Sequence, residues 1–175
     1  MQSIWLVVMG VSGCGKSSLG QALAVDLGLP LIEGDDFHPE ANIAKMRAGT
    51  PLTDDDRAGW LARLGDELAA RPAGAVLTCS SLKRAYRDRL RAAVPGLRFA
   101  FMEISRDEAQ ARVEARAGAH IFPGSLVANQ FATLESPTGE EGVVTVQAVA
   151  PIDRLTAEVR HWLGDDARCA DRGAE

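Results

Sequence analysis

One stretch restricts this chain more than any other. Gly10-Val11-Ser12-Gly13-Cys14-Gly15-Lys16-Ser17 satisfies the pattern GxxxxGK[ST]. Before it runs Ile4-Trp5-Leu6-Val7-Val8-Met9, a continuous apolar segment that reads as a strand buried on both faces. After it Leu19, Leu23 and Leu27 recur at helical spacing, and Gly28 fits the stop. A glycine-rich turn between a buried strand and a helix points successive backbone N–H groups at one spot. The helix N-terminus adds partial positive charge there, so the spot suits phosphate. Gly10, Val11, Ser12, Gly13, Cys14, Gly15, Lys16, Ser17 and Ser18 are therefore the expected ATP-binding residues. Lys16 is expected to act catalytically on the β- and γ-phosphates, and Ser17 to ligate Mg²⁺. Cys14 contributes its backbone. The guanine-reading NKxD of signalling GTPases is missing, which favours ATP.

The remaining pattern alternates strands with helices. Strands are expected over 29–33, 75–79, 97–104 and 143–149. Pro39 opens a short helix carrying Ile43 and Met46. Thr53 reads as an N-cap with Asp54, Asp55 and Asp56 in the first turn, ahead of a stripe of Leu61, Leu64 and Leu68. Leu82, Tyr86 and Leu90 mark the next helix. Ser105-Arg106-Asp107-Glu108 matches a capping box whose helix runs to about 117. Helices over 126–134 and 151–163 complete the series. The class is α/β: a three-layer P-loop NTPase fold with a five-stranded parallel sheet flanked by helices. Ligands of such sheets bind at the carboxyl ends of the strands.

With 175 residues, the chain suits one domain over 1–164, a lid near 116–126 and a short polar tail over 165–175. The formal net charge of −5 argues against nucleic-acid or anionic-membrane partners. Three cysteines with no CxxC pair argue against a disulfide framework or zinc site. The first residues carry no basic region, and the apolar run ends at Gly10. Neither a signal peptide nor a membrane span is expected, and a cytoplasmic protein is.

Glu33-Gly34-Asp35-Asp36-Phe37-His38-Pro39 places several carboxylates and a histidine after the second strand, beside the phosphate turn by topology. Phosphoryl transfer to an alcohol needs a group that orients the hydroxyl and accepts its proton. One of these acids can do so while another holds Mg²⁺. Spacing alone leaves open the simpler view, in which Asp35 or Asp36 caps a turn and His38 merely precedes a helix.

Several segments together resemble the bacterial gluconokinase family. They are the phosphate turn, Gly34-Asp35-x-x-His38-Pro39, Asn42-x-x-Lys45-Met46 and Pro51-Leu52-x-Asp54-Asp55-Asp56-Arg57-x-x-Trp60. Cys79-Ser80-Ser81-Leu82-Lys83-x-x-Tyr86-Arg87 and Gln130-Phe131-x-x-Leu134-Glu135 continue the series. The resemblance implies ATP:D-gluconate 6-phosphotransferase activity on a nucleoside-kinase-like fold with a mobile lid, commonly as a homodimer. It also implies that Asp35 positions the acceptor hydroxyl and that Glu33 lies near Mg²⁺. The family usually carries Asp-Gly-Asp where this chain has Glu33-Gly34-Asp35. Its lid usually reads Arg-x-Gly-His-Phe, and here one extra residue lies within Arg116-Ala117-Gly118-Ala119-His120-Ile121-Phe122.

Gluconate is a carboxylate with a row of hydroxyls, so its site should offer a fixed cation and hydrogen-bonding side chains. Arg57, Lys83 and Arg87 lie in segments resembling the family's acceptor side, and at least one is expected to meet the carboxylate. His38 and His120 join them as expected substrate-binding residues. Arg112 and Arg116 sit four apart on one helix face, and by similarity to related kinases they reach ATP and the transferring phosphate. Trp60 is expected to pack. Two rivals remain at this stage. One is a shikimate or nucleoside monophosphate kinase, and the other is a nucleotide-dependent switch with no acceptor.

Overall fold

The computed structural model describes residues 3–116 and 124–172. The expected lid centre, with His120, lies outside the described residues. Five strands form one sheet: β1 (Ile4–Met9), β2 (Leu31–Glu33), β3 (Gly74–Thr78), β4 (Arg98–Glu103) and β5 (Val143–Gln147). Their order is β2-β3-β1-β4-β5, and every pair is parallel. Each crossover must therefore carry a helix or a long connection. The helices are α1 (Lys16–Leu27), α2 (Glu40–Arg47), α3 (Asp54–Ala69), α4 (Arg84–Ala93), α5 (Arg106–Ala115), α6 (Val127–Thr133) and α7 (Ile152–Arg172).

The alternation of side chains along β1 explains the three layers. Leu6 and Val8 face a core shared with Leu19 and Leu23 of α1 and with Leu155, Val159 and Leu163 of α7. Val7 and Met9 face the opposite core, with Leu61, Leu64 and Leu68 of α3 and Leu90 of α4. All four β1 residues are fully buried, so the central strand needs apolar residues at every position. Each such side chain adds about 1.5–3 kcal/mol of burial.

Element boundaries differ from expectation where a local hydrogen bond intervenes. β2 starts at Leu31, because the Leu29 amide donates back to Ala24 of α1 and Pro30 has no N–H to give a ladder. β5 ends at Gln147, whose carbonyl takes the Ala150 amide in a turn. α7 runs through Gly164 to Arg172, past the polar-tail boundary. Glycine weakens a helix without ending it unless it turns left-handed, and a 3.0 Å contact from His161 Nε2 to the Asp165 carboxylate spans the position. The Thr53 cap is present in full: its hydroxyl accepts from Asp56 N, and the Asp56 carboxylate accepts from Thr53 N. At Ser105 the hydroxyl accepts from Glu108 N.

Candidate active site

At the carboxyl ends of β1, β2 and β3 a cleft opens. One wall is the phosphate turn, with Ser12, Gly13, Gly15, Lys16, Ser17 and Ser18. Gly13 is required there twice over. Its φ is +85°, and a Cβ would come within 2.7 Å of the Ala109 carbonyl oxygen. Close packing of the turn on α5 and a left-handed backbone both exclude a side chain. The Lys16 ammonium donates to the Val11 carbonyl at 3.1 Å, folding back over the turn.

Gly34 lets β2 end against β3, since a Cβ would sit 2.2 Å from the Thr78 carbonyl oxygen. That contact separates the two flanking acids. Glu33 Oε2 accepts from Ser17 Oγ at 3.0 Å and from Thr78 Oγ1 at 2.6 Å. Asp35 lies on the short 3-10 turn Gly34–Phe37, exposed and lining the cleft. The extra methylene of Glu33 thus still brings a carboxylate oxygen to the Ser17 hydroxyl. Both are hard oxygen donors, the type that suits Mg²⁺. Among the described residues no cluster of three His, Cys, Asp or Glu could hold a metal. Mg²⁺ at Ser17 and Glu33 would keep waters and phosphate oxygens as its other ligands, which is its habit.

The opposite wall carries the acceptor-side residues. His38 is buried and stacks on Trp60 with ring centroids 4.1 Å apart. Trp60 packs as expected, and its indole N–H donates to the Gly34 carbonyl at 2.8 Å; its ring also lines the cleft. Asn42 Nδ2 donates to the Asp56 carbonyl at 2.9 Å and faces His38 Nδ1 at 3.4 Å. The neutral ring therefore carries its proton on Nε2, which faces the Asp35 carboxylate at 3.7 Å. Burial holds the His38 pKa below its ordinary value; Asp35 opposes this and Arg57 adds to it.

The three expected carboxylate-binding cations have three different fates. Arg57 is buried at 8% exposure and lines the cleft. Among the described residues it donates only to neutral oxygens, the Leu52 carbonyl at 2.8 Å and the Tyr86 hydroxyl at 3.2 Å. Lys83 is outside the cleft lining and pairs with Asp54 at 3.0 Å. Tyr86 also donates to Asp54, and these two hydrogen bonds lower the Asp54 pKa. Arg87 is fully buried and outside the cleft lining. Its guanidinium donates to the Ser81 and Leu82 carbonyls at 2.8 and 3.2 Å and forks onto Glu140 at 2.5 and 3.2 Å. Burial would raise the Glu140 pKa, but Arg87 and Arg91 hold it low. The carboxylate that Arg87 meets here is the protein's own Glu140.

The two arginines expected on one helix face also part: Arg112 is on α5, while the helix ends at Ala115 and Arg116 is its C-cap. Arg116 lines the cleft. Arg112 turns beneath the phosphate turn, reaching the Cys14 and Ala148 carbonyls at 3.4 Å each and Glu108 at 3.3 Å. It braces the turn from behind. Ser80, Asn129 and Gln130 line the cleft without having been singled out in sequence. Ser80 and Gln130 lie within segments that resemble the family's motifs, but the resemblance gave neither a role.

A family model described as an AAA domain matches residues 6–137. The gluconokinase of Gluconobacter oxydans strain 621H is 45% identical over 166 residues, covering 93% of each chain. A crystal structure of a gluconokinase from Sinorhizobium meliloti 1021 superposes with a TM-score of 0.89 at 45% identity, covering 98% of each chain. Shikimate kinase from Aquifex aeolicus, at 14% identity and a TM-score of 0.68, shares the P-loop kinase fold alone. Likeness of that extent to the first two, on a cleft built from the same motifs, makes this chain a member of the gluconokinase family.

Proposed function

We propose that this protein transfers the γ-phosphoryl group of ATP to the 6-hydroxyl of D-gluconate. The observation that carries the acceptor assignment is Arg57. A guanidinium at 8% exposure with no carboxylate partner among the described residues is an expensive arrangement unless an anion completes it. A sugar-acid carboxylate answers that need, and the guanidinium fork can take it in two parallel hydrogen bonds. The hydroxyl end then lies toward Asp35 and the phosphate turn, which line the same cleft.

Asp35 orients the acceptor hydroxyl and takes its proton as the phosphoryl group arrives. Lys16 and the turn's backbone N–H groups hold the β- and γ-phosphates, and Arg116 adds positive charge from the α5 side. Ser17 and Glu33 are the protein's oxygens toward Mg²⁺, which when bound neutralises charge on the phosphates. His38, fixed in one tautomer by Asn42, donates from Nε2 toward the Asp35 carboxylate or a sugar hydroxyl.

Coupled ADP release with Mg·ATP tests the reading against gluconate, glucose, shikimate and nucleoside monophosphates, with mass spectrometry of the product. Gluconate-dependent release with a 6-phosphorylated product is expected. Release with another member of the panel and none with gluconate would end the acceptor assignment.

A further inference from the structure

Gln130 on α6 makes a hydrogen bond that spans the fold. Its Oε1 accepts the Ser12 backbone N–H at 2.6 Å, joining the wall of the cleft that follows the lid region to the phosphate turn. This contact fixes the amide's orientation, because only the oxygen can accept. The Nε2 end is therefore a donor of known identity. It has no acceptor among the described residues. Nor is it sealed in the core, where the Ser81 hydroxyl is the one side-chain polar atom without a partner among the described residues. Gln130 as a whole is 7% exposed and lines the cleft. What remains accessible of it opens toward the ligand.

The other acceptor-side elements carry the charged groups, Asp35 and Arg57, with His38 stacked on Trp60 in the same lining. A polyol acceptor lying between the walls offers hydroxyl oxygens along its length, and only some can meet Asp35 or His38. A neutral NH₂ group on the α6 wall suits one of the others, since it adds a donor without shifting the charge near the phosphates.

We propose that Gln130 is an acceptor-binding residue: its Nε2 donates to a hydroxyl oxygen of the bound polyol while its Oε1, held by Ser12, keeps that contact in register with the phosphate turn. The idea rests on the kinase reading above, and the wild-type enzyme's response to gluconate judges that reading separately. Should wild type phosphorylate a different polyol acid, the same comparison is made with that acceptor.

Two substitutions separate the two ends of the amide. Gln130→Glu keeps an oxygen for the Ser12 N–H and loses the donor. Gln130→Met loses both. Acceptor affinity is measured by calorimetry with a non-hydrolysable ATP analogue present, ATP affinity without acceptor, and stability by thermal unfolding. Both variants are expected to weaken acceptor binding about 10-fold or more, as for a lost hydrogen bond at a buried polar site. Gln130→Glu is expected to keep its unfolding midpoint. A set of singly deoxygenated gluconates adds a readout that a purely structural role would not move. One of them should bind wild type about 10-fold more weakly than gluconate does, yet bind Gln130→Met no more weakly than gluconate does. Unchanged acceptor affinity in Gln130→Glu, with only ATP affinity or stability altered, would overturn the proposal. So would additive losses for every deoxy analogue.

Discussion

The two walls of the cleft are built differently. The phosphate wall is one short contiguous run whose chemistry resides in the backbone and in a single lysine. The acceptor wall is assembled from the end of β2, the start of α3 and the first half of α6, and its chemistry resides in side chains. Backbone recognition of phosphate needs glycines at fixed spacing, and these are visible as letters. Side-chain recognition depends on which partner each charge finds, and three cations in similar motif positions found three different partners. Among the described residues Arg57 has only neutral oxygens, Lys83 has a surface carboxylate, and Arg87 has a partly buried one.

Asp35→Asn should have the largest effect, since it removes the base on the acceptor wall and leaves the phosphate wall intact. Turnover is expected to fall about 10²- to 10⁴-fold, with ATP affinity little changed. Single-turnover phosphoryl transfer and nucleotide titration read the two separately. Loss of ATP binding alongside turnover would mean that the two walls do not act independently.

Next in size is the contrast between the arginines. Arg87→Met leaves Glu140 to Arg91 alone and removes the donor to the buried Ser81 and Leu82 carbonyls, and should cost about 1–3 kcal/mol of stability in urea unfolding. Arg57→Met should instead raise the gluconate KM about 30-fold or more, with a smaller stability loss. Arg57→Lys should recover only part of that, because an ammonium cannot grip a carboxylate bidentately. If Arg87→Met were stable and poor in gluconate affinity, the assignment of the two arginines would have to be exchanged.

That contrast also marks where sequence stops being informative. The strand–helix order, the layers and the phosphate turn were legible because each depends on local pattern: the apolar run before Gly10, the leucine stripes, the cap at Thr53. Glu33 beside Ser17 was legible from a motif at the end of a strand. The burial of Arg87 was not, because its partner Glu140 lies in a polar loop with no pattern of its own. The contacts of Arg112 were hidden in the same way. Sequence shows its spacing to Arg116 and to Glu108, while two of its acceptors are the carbonyls of Cys14 and Ala148 from distant loops. Gln130 lay in a recognisable segment, yet only its contact with Ser12 shows which end of the amide is free.

The smallest expected effect concerns His38, where the acceptor wall couples to pH. Its ring is neutral in the folded protein, and burial outweighs the pull of Asp35 to keep its pKa below 6.5. The unfolded chain, with the ordinary value, takes up the proton first as pH falls. Between 6.5 and the lower folded value the unfolded state therefore binds more protons, and stability declines with falling pH through that window. Above 6.5 the contribution is fully present. Protonation within the cleft would add a cation beside Arg57 and draw the Asp35 carboxylate toward Nε2, away from the acceptor hydroxyl. Turnover should therefore decline along with stability. His38→Gln removes the titration, so the difference in urea midpoint between wild type and variant should shrink as pH drops below 6.5. A difference that stays constant with pH would show that His38 titrates alike in both states, and the coupling of this wall to pH would then have to come from another group.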